Sequence, residues 1–229
     1  FPVDVFQTGS GTSTNMNANE VIANLICHAK KKPIGSSKDA AYLKSGGVHP
    51  NDHVNMGQSS NDTFPTAMQI AAALEIRDRL LPAIGAMGDE LDKKAKAWNK
   101  IIKIGRTHLQ DATPIRLGQE FSGYARQMRQ AERRAQSALE SLCELPIGGT
   151  AVGTGINTHR EFGKRVCAEL SKSHTTKNSK ITFKEARNYF EAQHTRDVIV
   201  EASGHLKTVA VSLSKIASDI RLMGSGPRC

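Results

Sequence analysis

Apolar residues recur along most of this chain at alternating spacings of three and four. From Thr66 to Lys100, Ala67, Ile70 and Leu74 are followed by Ile84, Met87, Leu91, Ala95 and Trp98, and Pro82 predicts a kink between the two series. Leu117, Phe121, Tyr124, Met128, Ala131, Ala135, Leu139 and Leu142 form a second stripe. Ile199, Ala202, Leu206, Val209, Leu213, Ile216, Ile220 and Met223 form a third. Each stripe lies on one face of a helix, and stripes this long specify core positions of helices packed at shallow angles. Shorter helices are predicted from about Asn17, near Lys38 to Leu43, and from a cap at Asn157 or Thr158 to about Ser171. The expected fold class is therefore all-α, a bundle of long helices, and low aromatic content with frequent alanine agrees with it.

Between the stripes lie polar segments rich in glycine, serine and threonine. Gln7 to Asn17 contains Gly9-Ser10-Gly11-Thr12, where glycines let backbone N–H groups approach a ligand and hydroxyls add adjustable donors. It lacks the third glycine and preceding strand of a dinucleotide fingerprint. Ser59, Ser60 and Asn61 precede a predicted helix whose first turn holds Asp62, Thr63 and Pro65. Lys103 to Pro114 packs Thr107, His108, Gln110 and Asp111 into a connector, and Thr113-Pro114 reads as a helix cap followed by a first-turn proline. On that reading the Thr107 hydroxyl and His108 imidazole sit near a helix N-terminus, which favours negative charge. His108 can exchange a proton near neutral pH without a large pKa shift. The loop Pro146 to His159 lacks the Gly-Lys-Ser or Gly-Lys-Thr ending of a phosphate-binding loop.

Composition narrows the chemistry. The formal charge of +9 raises a nucleic-acid reading, but Lys30-Lys31-Lys32 is the only tight basic run and no aromatic residue interleaves with it. No nucleic-acid partner is expected, and the positive balance suits small acidic ligands. His49 and His53 are four apart, yet Pro50 lies between them and no third ligand is evident, so no metal is expected. Cys27, Cys143, Cys167 and Cys229 show no metal-ligand spacing and read as reduced thiols of an intracellular protein. No apolar run is long enough to span a bilayer, and no membrane role is expected. The ends, Phe1-Pro2-Val3 and Gly224 to Cys229, are expected to be interior positions of a longer protein.

Polar clusters at the ends of long helices lie far apart along rods, which association of several subunits would overcome. The clusters Gln7 to Thr12, His49 to Asp52, Gln58 to Asp62, Gly105 to Asp111 and Gly148 to Gly155 closely resemble, in this order, the class II fumarases of the fumarase/aspartase superfamily. The resemblance covers nearly the whole chain. It implies a homotetramer with active sites shared between subunits, no metal or organic cofactor, and reversible hydration of the dicarboxylate fumarate to L-malate. Carried over by position, Ser10, Gly11, Thr12, Ser59, Ser60, Asn61 and Thr107 bind substrate, and His108 is catalytic. His49, Asn51 and Asp52 match a secondary dicarboxylate site. The resemblance further implies residues 1–58 as the end of an N-terminal domain and 59–229 as an incomplete central helical domain. A loop with the second catalytic base would lie beyond Cys229, so this piece alone is expected to be inactive. The compartment implied is the cytoplasm, or the mitochondrial matrix in a eukaryote. Aspartate ammonia-lyase or another lyase of the superfamily, and a non-enzymatic scaffold, are the rivals. Gly9-Ser10-Gly11, Ser59-Ser60-Asn61 and His108 favour fumarase over the first, and the intact hydroxyl and histidine clusters argue against the second.

Overall fold

A computed structural model describes residues 3, 4, 6, 10–177 and 179–226. Helices dominate it. In chain order the elements are α1 (Thr12–Ala29), α2 (Ala40–Lys44), α3 (Ser60–Glu75), α4 (Leu81–Ala97), β1 (Ile102–Thr107), β2 (Gln110–Arg116), α5 (Leu117–Leu142), β3 (Glu144–Leu145), α6 (Phe162–His174), β4 (Lys184–Glu185), α7 (Tyr189–His194) and α8 (Asp197–Met223). They fall into two compact units, Phe1–Ala71 with Cys143–Arg196, and Ala72–Leu142 with Asp197–Cys229.

The second unit is built on α5. Its 26 residues make a rod about 39 Å long. Phe121, Tyr124, Met128, Ala131, Ala135, Leu139 and Leu142 of the predicted stripe are buried, and Met128, Ala131 and Ala135 are fully so. α4 packs against α5 through Ile84 and Leu91. Trp98 meets Phe121 edge to face, with ring centroids 4.7 Å apart. Arg129 reaches across from α5 to Asp89 and Asp92. α8 buries only Ala202, Val209 and Ile216, a seam repeating every seven residues, while Leu206 and Ile220 of the predicted stripe are exposed together with Val200, Val211 and Leu222. A helix flanked along one side buries a narrow seam, so the rest of its apolar stripe faces outward in the single chain.

One expectation is corrected here, after one addition. Helical backbone runs from α3 through a wide π turn at Ile76–Leu80 into α4, and Pro82 stands just after that turn. Thr113 and Pro114 do not start a helix; they lie in β2, and α5 begins at Leu117. The β-branched residues Ile102, Ile104, Thr107, Thr113 and Ile115 favour extended backbone. The first α5 amides bond to carbonyls of the segment after α4, Leu117 to Ile101 at 2.9 Å and Gly118 to Trp98 at 3.1 Å, and Gln119 Oε1 accepts from the Arg116 amide at 3.0 Å.

In the first unit α1 buries Asn15, Asn19, Ala23 and Cys27. The parallel pair β3 and β4 joins Glu144 to Lys184 and Leu145 to Glu185. α6 begins at Phe162 behind Glu161, which forms no side-chain cap bond, so neither Asn157 nor Thr158 caps it. Burial, with the Glu185 carboxylate adding to it, pushes the Cys167 thiol up to about 11.

Met128→Ala removes a fully buried side chain and should lower unfolding stability by ~2–5 kcal/mol, read as a lower urea midpoint. The raised Cys167 pKa keeps its thiol neutral in the folded state, so its contribution to stability should be full below pH 9 and lost as pH rises through about 11. Iodoacetamide should alkylate Cys167 at pH 8 more slowly in the native than in the urea-unfolded protein.

Candidate functional site

Gly11 precedes α1 with φ 72°, and a Cβ there would lie 2.2 Å from the Phe64 ring of α3. A glycine is needed on both counts, conformation and space. The close approach sets the first hydroxyl of α1 beside the first of α3: Thr12 Oγ1 lies 3.3 Å from Ser60 Oγ and donates to Ser10 Oγ at 3.4 Å. Ser10, Thr12 and Ser60 thus converge. Gln7, Thr8 and Gly9 fall outside the described residues.

The start of α3 explains why Ser60 and Asn61 face outward. Ser59 Oγ accepts from the Asn61 amide at 3.2 Å, and Asp62 Oδ1 accepts in return from the Ser59 amide at 2.9 Å, a reciprocal cap. Ser59 Oγ thus accepts for the helix, and its O–H is left to donate. Asp62, with no solvent exposure, turns its other oxygen to the loop after β3 and accepts from Gly148 N at 3.0 Å and Thr150 N at 2.9 Å. Asn61 Nδ2 donates to the Ala151 carbonyl at 2.8 Å.

Ser10, Ser60 and Asn61 line a cavity of about 860 Å³ together with Ala151 and Val152 of the loop and Phe190, His194 and Arg196 at α7. The hydroxyls of Ser10 and Ser60, the Asn61 amide and the His194 imidazole offer hydrogen-bonding groups to this cavity, whose wall also holds the Glu191 carboxylate, and Arg196 donates to backbone carbonyls of its own segment. A second cavity of about 250 Å³ also contains Ser60 and Ala151 in its wall and adds Ser59, Asn15, Asn55 and Asn157. Asn55 Oδ1 there accepts from Asn15 at 3.1 Å and Asn19 at 3.0 Å.

Sequence reasoning missed α7 and its contribution. The signal was present: Asn188, three residues before Glu191, is a helix start, and its Oδ1 accepts from Phe190 N at 2.9 Å and Glu191 N at 3.1 Å. Arg196 closes the other end, donating to the carbonyls of Ala192 at 3.0 Å and Gln193 at 3.2 Å. With only six residues, α7 carries too little periodicity to stand out.

His49, Asn51 and Asp52 group around a separate π turn, Pro50–Val54. Pro50 opens this turn rather than breaking it. His49 Nδ1 lies 3.1 Å from both the amide nitrogen and Oδ2 of Asp52, so the neutral ring accepts from the first and the protonated ring donates to the second. His53 Nδ1 accepts from the His49 amide at 2.8 Å. Among the described residues, no group of three or more His, Cys, Asp or Glu side chains could hold a metal ion.

Thr107 and His108 lie in the other compact unit, at the tip of the β1–β2 hairpin. The strands pair Thr107 with Gln110 and Arg106 with Asp111, leaving His108 and Leu109 as a two-residue turn. Both have positive φ, 54° and 60°, the geometry of a type I′ turn that usually takes Asn-Gly. The imidazole is exposed and, among the described residues, makes no side-chain hydrogen bond or ion pair. Seven residues of β2 put this tip about 20 Å from the start of α5. The His108 imidazole is therefore not at a helix N-terminus, contrary to the reading of Thr113-Pro114.

Comparison with known proteins is decisive for the family. A family model described as Lyase matches residues 1–229. The chain belongs to this lyase family. Within it, the chain is 54% identical over 229 residues to a class II fumarate hydratase of Neisseria meningitidis, covering all of this chain and 47% of that protein. It is 55% identical over 229 residues to a mitochondrial fumarate hydratase of Rhizopus oryzae, covering all of this chain and 44% of the relative. A crystal structure of class II fumarase from Schistosoma mansoni superposes with a TM-score of 0.86 at 40% identity, over all of this chain and 48% of that one. The chain spans about half the length of the curated relatives it matches. Its relatives thus include bacterial and mitochondrial lyases, and no described helix is long and apolar enough to cross a membrane.

Removing the Asp62 carboxylate would leave the amides of Ser59, Gly148 and Thr150 without their acceptor. Asp62→Ala should therefore lower stability by ~3 kcal/mol or more, read as a fall in the urea or thermal midpoint.

Proposed function

We propose that the full-length protein catalyses reversible hydration of fumarate to L-malate, with this chain supplying most of the substrate site. The observation that carries the reading is the convergence of Ser10, Thr12, Ser60 and Asn61, three of which line the larger cavity, in a chain more than half identical to fumarate hydratases. On this reading Ser10, Thr12, Ser60 and Asn61 hold the substrate carboxylates with Gly11 placing Thr12, Ser59 holds the α3 cap that presents its neighbours, and Thr107 with His108 reaches the reacting centre.

The chemistry follows from charge. Adding hydroxide to one alkene carbon leaves a carbanion on the next, and delocalisation into the adjacent carboxylate makes a dianionic, enediolate-like group. Fixed N–H and O–H donors around that carboxylate stabilise charge that grows in the transition state. His108 takes the proton of the attacking water, the second acid/base group that the family resemblance implies protonates the carbanion carbon to complete L-malate, and the reading requires no metal or organic cofactor.

Assembly belongs to the same proposal. An imidazole on an exposed hairpin tip and a long apolar helix face on α8, including Val200, Val211 and Leu222, suit a homotetramer in which several subunits complete each active site. His49, Asn51 and Asp52 would form a secondary dicarboxylate site. Residues 1–58 and 59–229 would belong to the N-terminal and central domains of the longer protein, in the cytoplasm or the mitochondrial matrix according to its source.

The test is absorbance of the fumarate double bond with full-length protein and L-malate or L-aspartate as substrate. Malate should yield fumarate without ammonia, and His108→Asn should lower kcat by at least ~100-fold with the fold retained. Fumarate from aspartate alone would instead identify an ammonia-lyase, and turnover of neither would end the hydratase reading.

A further inference from the structure

Thr150 is a buried, non-glycine residue with φ 56°, a left-handed backbone conformation that L-residues rarely adopt and that persists only where the surroundings impose it. Its two backbone polar groups are held from opposite directions. The amide donates to Asp62 Oδ2 at 2.9 Å, and the carbonyl accepts from Gln193 Nε2 at 2.7 Å. The next residue, Ala151, presents the carbonyl that receives Asn61 Nδ2 at 2.8 Å.

We propose that Gln193 and Asp62 are positioning residues for Asn61, acting through the strained backbone of Thr150. The proposal deepens the hydratase reading and rests on it for the role of Asn61. Gln193 comes from α7, and the loop is shaped to receive it: a Cβ at Gly149 would lie 2.0 Å from Gln193 Oε1. That oxygen is itself buried without a partner, so the amide is spent on one bond, the one to Thr150. If the Gln193 bond is lost, Thr150 can relax toward ordinary φ, the Ala151 carbonyl turns with it, and Asn61 loses the acceptor that orients its amide. Both ends of the clamp lie in one compact unit, so its geometry is set within a single chain.

The experiment uses the full-length protein and Gln193→Met, which keeps the length of the side chain and removes the donor. Hydrogen–deuterium exchange of the peptide covering residues 147–153 should accelerate by about tenfold or more at Thr150, with the urea midpoint little changed. Unchanged exchange would overturn the clamp whether or not the protein hydrates fumarate. In a double-mutant cycle, Gln193→Met should lower kcat/KM for malate about tenfold in the native background and less than about twofold in Asn61→Ala, because its effect passes through Asn61. Independent, multiplying effects would overturn the positioning role while leaving the hydratase reading intact. Should Gln193→Met fail to fold, Gln193→Glu serves. Its carboxyl donates to Thr150 only when protonated, so its kcat/KM relative to the wild type should rise as pH falls, and a flat ratio would count against the proposal.

Discussion

The walls of the larger cavity depend on one buried carboxylate. Asp62 accepts backbone amides from its own helix cap and from the Gly148–Thr150 loop, so two segments 86 residues apart meet on a single side chain. Burying a charge without partners would be costly, and three amide donors at 2.9–3.0 Å make the burial tolerable. Once the loop is fixed, Ala151 holds Asn61, and Ala151 and Val152 line the same cavity as Ser60. The helix cap and the cavity are therefore the same set of bonds read from two sides.

Glycine plays a complementary part by removing what would keep the segments apart. Gly11 lets α1 start against the Phe64 ring, and Gly149 lets α7 press onto the loop beside Gln193. These positions explain why the polar clusters are rich in glycine without being phosphate loops. The backbone is brought close to other protein segments, and the hydroxyl and amide side chains next to it are left to face the cavity.

Much of this was legible in the sequence. Long helices followed from three-and-four spacing, and α5 runs from Leu117 to Leu142 as the stripe indicated. The helix after Ser59-Ser60-Asn61, with Asp62 in its first turn, is α3. What escaped had physical reasons. The β1–β2 hairpin hides its turn because His108-Leu109 replaces the expected Asn-Gly, and Thr113-Pro114 carries the same letters as a helix start. Gln193 and Arg196 act through backbone carbonyls, a role that any sequence leaves unmarked. The split of α8 into a buried seam and an exposed face depends on which neighbours are present, and apolar residues stand on both.

The turn at the hairpin tip has a consequence for entropy. Two side-chain-bearing residues at positive φ have few other conformations within a closed hairpin, whereas glycines in their place would sample many. The strand pairing on either side imposes this backbone, so the imidazole's mount depends on the hairpin register, Thr107 with Gln110 and Arg106 with Asp111, and a slip of that register would relocate His108.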